Sequence, residues 1–467
     1  MPRRFPLGYM DKVCLAATLA PNSSFAPTWR LGVTGALPEP ALRRAVAWLV
    51  GAYPILASRV VAAERSIDEA RSLAWELDEA PQPDRLVKVL HLREASADER
   101  AWADQALSDR FLDVEREPPF AVTWLRASEA TGTLVLQQHH ALADGRAFLG
   151  LCADLVRCLD AAVRGDPEAP AMAPFSRRDE LEVVPERGLR RLGTLLQGFA
   201  HSLATALADA FRPLAPLRCN QGADFTGGNR TEHLKVPLSR LEGWRDARQA
   251  LGLSTNDLLT AAVARALGRW SRQRGVKPGR TRLLLPVDVR PRDGTFASFA
   301  NHLSSVVVTA DLARPAPPLE LAASIASQVA SQVARRLPLK KLLYEAAVAS
   351  RLRLGAMRRL VFDGTALPTS LSFSNLLPLG IPGAGEDGRW RGQGFDIDSL
   401  RITTPCLPRQ GANVTVARYG DSACFNFNYK DSLLTQREVR ELVGCFEESL
   451  AEVEHGTRFS SLPPCAS

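Results

Sequence analysis

The chain has 467 residues, 46% hydrophobic and 23% charged, a globular composition too long for one ordinary core. No apolar run approaches the roughly 20 residues that a helical membrane span requires. The net charge of +7 leaves nucleic acid, an anionic membrane surface, a phosphorylated small molecule and an acidic protein partner all open.

The opening MPRRFPLGYMDKVCLAATLAPNSS has basic residues but no clean apolar core with a small-residue cleavage site. It reads as mature sequence, and the expectation is a cytoplasmic protein. Eight cysteines are scattered without a C-x-x-C pair, so buried thiols are expected rather than a disulfide framework. No ligand cluster is present for zinc, so no metal is expected.

In chain order, PEPALRRAVAWLVGAYP reads as a helix, with Pro38 and Pro40 near its start and Leu42, Val46, Leu49 and Val50 on one face. It stops before Pro54. GTLVLQQHH reads as a strand running through His139 and His140. After Gly145 the apolar positions Phe148, Leu149, Cys152, Leu155, Val156 and Leu159 repeat about every 3.6 residues, which predicts a helix. Residues 164–173 turn to Gly, Asp, Pro and Ala and open a linker. Residues 189–211 are helical, and Pro213 and Pro216 end them. Arg187, Arg190 and Arg191 lead into this stretch, so it reads either as a packed connector or as a membrane-surface helix. A polar face poor in Lys and Arg favours the connector.

A second α/β half begins near Asn229. RTEHLKVPLSRLEGWRDARQALGLSTNDLLTAAVARALGRW predicts strand, helix, turn and helix, with Ser254 and Asp257 as a capping box. TRLLLPVDVRPR, NHLSSVVVTADL, SLSFSNLL and ANVTVARYGDSACFNFNYK read as strands. Ile325, Val329 and Val333 mark a helix, and TQREVRELVGCFEESLAEV closes the chain with another. The expected organisation is a first unit over 1–175, a helical linker over 176–225 and a second unit over 226–467.

The stretch LVLQQHHALADGRAFLGL sets two of the seven histidines side by side, His139 and His140, with three residues between them and the pair Asp144 and Gly145. It sits on a strand–loop–helix junction, where a side chain can face a cleft. A neutral imidazole is a natural general base near neutral pH, and a base alone suffices where the electrophile is already an acyl thioester. Neighbouring strand residues point to opposite faces, so one histidine should face the cleft while the other braces the loop. Asp144 is placed to shape the turn and pair with a cation, and Gly145 allows close approach where the helix starts. A metal site made from His139, His140 and Asp144 is the competing reading, disfavoured because adjacent strand residues diverge.

HHALADG resembles the HHxxxDG motif of the chloramphenicol acetyltransferase-like superfamily. That group includes condensation domains of peptide synthetases, wax ester synthase/diacylglycerol acyltransferases and the plant BAHD acyltransferases. LRRAVAWLVGAYPILASRV, LSTNDLLTAAVARAL and LLLPVDVRPR followed by FANHLSSVVV are similar, in order, to segments of the family, the last two to the wax ester synthase-like branch. The resemblance implies an α/β fold of the α+β type, with two similar lobes in a V and the active site in a tunnel between them. It implies His140 as general base, His139 as structural, and Asp144 holding the loop through an ion pair for which Arg290 is the matching residue. Arg290, with Ser372 and Asn375 of SFSN, is a candidate on the substrate side. For Ser372 and Asn375 a plain strand-end turn is an equal reading. The BAHD signature Asp-Phe-Gly-Trp is absent, and Arg146 and Ala147 follow the motif where condensation domains often carry a serine. DIDSL, residues 396–400, is not taken for a carrier protein's phosphopantetheine site, because strand-like sequence follows it.

Residues 335–359 carry Arg335, Arg336, Lys340, Lys341, Arg351, Arg353, Arg358 and Arg359 against Glu345 alone. Such a face would steer an anionic acyl-CoA or acyl carrier protein, or is simply solvated. Without aromatic interleaving it does not read as a nucleic-acid site. The expectation is a free-standing, monomeric acyltransferase of natural-product or lipid biosynthesis. It would need no cofactor beyond its acyl-CoA or phosphopantetheinyl thioester substrate and would acylate a small alcohol or amine, with peripheral membrane contact open. A catalytically silent module that docks acyl carrier proteins is the alternative, and a metal-dependent hydrolase the third reading.

Overall fold

The computed structural model describes residues 3–460, apart from 20–23, 63–72, 178, 185, 212–213, 216, 221–226, 292–297, 315, 350–351, 360–368 and 408–409. Pro213, Pro216 and Arg351 therefore lie outside the described residues. The first lobe holds β1 (Arg4–Pro6), α1 (Tyr9–Thr18), β2 (Thr28–Gly35), α2 (Glu39–Ala52), β3 (Arg59–Ala62), β4 (Leu73–Glu76), β5 (Val87–His91), α3 (Ala97–Asp109), β6 (Phe120–Arg126), β7 (Thr131–Gln138) and α4 (Gly145–Arg164). Helix α5 (Gly188–Phe211) connects to the second lobe. There the chain forms β8 (Asn229–Pro237), α6 (Leu238–Glu242), α7 (Arg245–Leu251), α8 (Thr255–Gln273), β9 (Arg280–Asp288) and β10 (Leu303–Asp311). These are followed by α9 (Pro318–Ala334), α10 (Leu337–Ala349), α11 (Leu354–Arg358), β11 (Leu371–Asn375), β12 (Arg391–Gly392), β13 (Phe395–Thr403), β14 (Ala412–Tyr419), β15 (Ser422–Lys430) and α12 (Gln436–Ser460).

Two six-stranded mixed sheets form the lobes, in the orders β12-β13-β2-β7-β6-β5 and β10-β9-β11-β14-β15-β8, and β1, β4 and β3 make a small antiparallel sheet. Each large sheet buries its own apolar cluster. In the first, the regular apolar spacing of α2 and α4 packs these helices against each other, with Leu42, Val46, Leu149 and Cys152 fully enclosed. Helix α4 starts on an Asp144 cap and ends at Gly165, whose φ of 81° suits the left-handed C-terminal stop. In the second lobe, α8 begins with the Ser254–Asp257 capping box and pairs with α12. The seven described cysteines are buried thiols.

One crossing is invisible in the linear order. Strands β12 and β13 lie within 226–467, yet they extend the first lobe's sheet, β13 pairing antiparallel with β2 from Phe395↔Gly35 to Thr403↔Thr28. A Cβ at Gly35 would fall 2.2 Å from the Gly394 carbonyl oxygen, so only glycine admits the crossing there. Phe395, Ile397, Leu400 and Ile402 add to the first core. The strand's far end meets the second sheet: Asn426 Oδ1 accepts from Ile402 N (3.1 Å) and Asn428 Oδ1 from Thr404 N (3.1 Å). The alternation of ACFNFNYK explains this, since Phe425 and Phe427 turn to Phe446 in the core while the intervening asparagines face the crossing strand.

Because Ile397 is fully buried in the first core, Ile397→Ala should cost about 2–5 kcal/mol of global stability. Urea denaturation should show this as a lower midpoint; a change below about 0.5 kcal/mol, the scale of a neutral surface substitution, would mean the strand is not packed as described.

Candidate functional site

The strand expected to carry the paired histidines ends at Gln138, one residue before them. His139 and His140 sit in the following turn, held by backbone bonds from His139 N to Pro119 O (2.8 Å) and from His140 N to Phe25 O (3.0 Å). Their divergence therefore comes from the turn and not from a pleat. His139 is buried, and its Nδ1 accepts from Ala141 N at 3.1 Å, which leaves the proton of the neutral ring on Nε2. Burial pushes its pKa down to about 3, with the neighbouring His140 adding to the effect.

His140 turns the other way and lines a cavity of about 1060 Å³ between the lobes. Its ring stacks on Phe25 at 5.5 Å. Nδ1 is the enclosed nitrogen, so Nε2 is the one left toward the cavity. Burial lowers the pKa of His140 below the ordinary histidine range. Its own carbonyl, Asp144, Asn301 and Asp11 oppose that effect without reversing its direction. The ring is therefore neutral at neutral pH, with Nε2 as the nitrogen toward the cavity.

Asp144 is fully enclosed and does not line the cavity. One oxygen caps α4 by accepting from Ala147 N (3.0 Å). The other accepts from His302 N (2.8 Å) and pairs with Arg290 Nη1 (2.8 Å). Arg290 touches the cavity edge, but its guanidinium also binds Asp288 (3.1 Å) and the Ala300 carbonyl (2.9 Å), so it acts as a tie between loops. Asp288 in turn binds Arg146 at 2.5 Å. With its carboxylate enclosed by these donors and His139 turned inward, the motif does not converge on a metal. Among the described residues no three His, Cys, Asp or Glu side chains gather as a metal site.

Sequence reasoning missed a second layer. Asn301 Nδ2 donates to the His140 carbonyl (2.9 Å) and to Asp11 Oδ1 (2.9 Å). Asp11 forms a buried ion pair with Arg177, which also donates to the Leu142 (2.7 Å) and Phe299 (3.0 Å) carbonyls. The Asn of FANHLSSVVV was the available signal; Asp11 and Arg177 carried none, since their partners lie 166 positions apart.

Strand β11 supplies another wall. Leu371 and Phe373 face the core, while Ser372, Ser374 and Asn375 are part-exposed on the cavity. Ser372 Oγ donates to Gln410 Oε1 (2.9 Å), and Asn375 Nδ2 to Asn256 Oδ1 (3.1 Å); Gln410 and Asn256 also line the cavity. A Cβ on Gly145 would lie 3.5 Å from Leu376, so the end of β11 abuts the first turn of α4. Ala147 N of that helix already donates to Asp144, and Gly145 and Arg146 of its first turn line the cavity. The basic stretch is not one solvated face. Lys341 turns into the cavity wall against Ser305 (2.6 Å), Arg336 pairs with Glu186 (2.6 Å), and Arg335, Arg353 and Arg359 are exposed. Residues 396–400 lie in β13, away from any carrier-like helix.

Known proteins resemble this chain in sequence and in fold. Residues 299–454 match the WS/DGAT C-terminal domain. Two diacylglycerol O-acyltransferase homologues of Mycobacterium tuberculosis are each 25% identical over 380 residues, covering 75% of this chain and 76% of theirs. The epimerization domain from the third module of tyrocidine synthetase B superposes with a TM-score of 0.70 at 14% identity, over 99% of this chain and 98% of that one. The starter condensation domain of rhizomide synthetase, in a variant solved with C8-CoA and Leu-SNAC, gives 0.66 at 14% identity over 99% and 96%. The fold is the two-lobed, chloramphenicol acetyltransferase-like architecture of condensation domains.

Asp144→Ala takes the enclosed carboxylate from Arg290, leaving Asp288 at 3.1 Å as its carboxylate partner, and should cost about 3–5 kcal/mol. Asp144→Ala/Arg290→Met should recover part of that loss in denaturant unfolding; no recovery would show that the pair is not what the first variant loses. His139, His233 and His302 have folded pKa values pushed by burial to about 3, 4 and 4, below the unfolded value of about 6.5. Between these limits the unfolded chain binds more protons, so the histidine contribution is intact above pH of about 6.5 and is lost as pH falls toward 4. Melting temperature should decline through that window.

Proposed function

We propose that this chain, an acyltransferase of the condensation and WS/DGAT type, moves an acyl group from a thioester to a hydroxyl acceptor by direct attack, with His140 as the general base. The observation that carries the reading is the placement of a neutral imidazole, Nε2 outward, on the wall of a cavity between two lobes. The hydroxyl acceptor is drawn from the names of the mycobacterial relatives; an amine acceptor is the alternative. The donor class follows from the C8-CoA held by the similar condensation domain and is either acyl-CoA or an acyl carrier protein's thioester.

In this mechanism Nε2 of His140 takes the acceptor's O–H proton as the oxygen attacks the thioester carbonyl carbon. A C–O bond forms, and the carbonyl electron pair moves onto the oxygen. The first turn of α4 and the Ser374 and Asn375 side chains of β11, all on the cavity wall, would stabilise that oxyanion. When the carbonyl re-forms, the C–S bond breaks and the thiolate leaves with the proton from the His140 imidazolium. No covalent acyl-enzyme is needed, because the thioester already has a good leaving group. A carrier-docking module without chemistry would have no use for an open base in this position.

His140→Ala should lower kcat by roughly 10²–10⁴ with the melting temperature unchanged. Full retained activity would remove the base assignment. Because burial lowers the His140 pKa, the acidic limb of the kcat/KM profile should fall below the ordinary histidine value of about 6.5, with activity lost as pH drops through it. Mass spectrometry of products from acyl-CoA and acyl-carrier donors, with alcohols and amines offered together, should show the ester mass; only amide would redirect the acceptor assignment.

A further inference from the structure

Helix α5 packs on α10 through Leu195 and through Gly198, where a Cβ would sit 2.5 Å from the Lys340 carbonyl oxygen. Its outer side carries Leu189, Leu192, Leu196, Phe199, Leu203, Leu207 and Phe211, each between 47% and 86% exposed, the Phe199 ring also meeting Tyr344 of α10 at 5.8 Å. Steps of three and four residues hold these on one stripe. The helix has 24 residues and runs about 36 Å, and the stripe from Leu189 to Phe211 takes up about 33 Å of it. Between Leu192 and Ala208 it has no Asp, Glu, Lys or Arg. The basic residues collect at its start, where Arg187 and Arg190 are exposed and Arg191 is half-buried.

A continuous apolar stripe of this size marks a surface that another phase or molecule covers. Protein interfaces concentrate Trp, Tyr and Arg in a central patch with a polar rim; this stripe of five leucines and two phenylalanines has no Trp or Tyr, and its arginines lie at one end. Aliphatic side chains below a cationic end match a bilayer, whose acyl region takes the leucines while anionic headgroups meet the arginines. The position also fits. Leu214 and Ala215, just after α5, line the cavity, and α10 beneath α5 contributes Lys341 and Glu345 to its wall. The surface covered by α5 would thus lie about one helix packing distance, some 8–10 Å, beyond that wall.

We propose that α5 is an interfacial helix that seats the protein on an anionic lipid bilayer, with the leucine stripe in the acyl boundary and Arg187, Arg190 and Arg191 at the headgroups. This goes beyond the acyltransferase reading and does not depend on it. The test is flotation of the full chain with unilamellar vesicles of phosphatidylcholine, with and without phosphatidylglycerol. The chain should float with the mixed vesicles and release as salt is raised. Leu192→Asp/Leu196→Asp should weaken binding by roughly tenfold or more. Both leucines are exposed, so circular dichroism and turnover of a water-soluble substrate should be unchanged. Absence of flotation with either vesicle, or equal flotation of the variant, overturns the proposal. So does light scattering that finds a dimer which the variant dissociates, because the stripe would then be a self-interface. Flotation involves no turnover, so its failure is separate from any failure of the His140 assignment.

Discussion

The site depends on one enclosed carboxylate. Asp144 has no water to satisfy it, so every hydrogen bond it accepts must come from the fold. It takes them from two lobes: Ala147 N belongs to the helix it caps, while His302 N and Arg290 belong to the second lobe. The turn bearing His140 is therefore fixed at once to the helix that follows it and to the opposite wall. A buried ion pair contributes little net stability compared with apolar packing. Its value here is registration, since an unpaired guanidinium or carboxylate makes any slipped arrangement of the lobes costly.

Registration at one point would still allow the lobes to pivot. The second tie is strand β13, which crosses into the first sheet and is met at its end by Asn426 and Asn428 of β15. These asparagines are buried and fully engaged: Asn428 also binds Thr404 and Asn413, each at 2.8 Å. Ile402, Thr404, Asn413 and Thr415 from this junction line the cavity. The space between the lobes is thus bounded by two polar ties, one at the motif and one at the crossing strand.

Legibility in the sequence followed the range of the interactions. The helices of residues 39–52, 145–164 and 255–273 were readable because their apolar spacing and caps are local. The strand hairpin ANVTVARYGDSACFNFNYK was readable for the same reason. His139, His140, Asp144 and Arg290 stood out because their spacing matched a known motif. The exact end of β7 did not, since leucine and glutamine continue a strand pattern up to the histidines and only the bonds to Pro119 and Phe25 turn the chain. The crossing of β13 was hidden because pairing Phe395 with Gly35 leaves no local trace, and Asp11 and Arg177 because their bond spans distant segments. Residues 189–211 showed two plausible readings because periodicity locates an apolar face without saying what covers it.

The same burial that isolates the site sets the strength of the proposed base. Drying an imidazole weakens it, and at His139, where the neighbouring His140 adds to the effect, the ring is driven far below physiological pH. At His140 the carbonyl of the residue itself, the Asp144 carboxylate, Asn301 and Asp11 act in the opposite direction. Asn301 also grips the His140 backbone, so one side chain both positions the ring and moderates its desolvation. A base held below the ordinary histidine value remains unprotonated at neutral pH, and its conjugate acid gives up the proton readily. That combination suits attack on a thioester, where the base must take a proton from the acceptor and then surrender it to the departing sulfur. The network behind His140 thus accounts for its position and its protonation together, without any member needing to touch substrate.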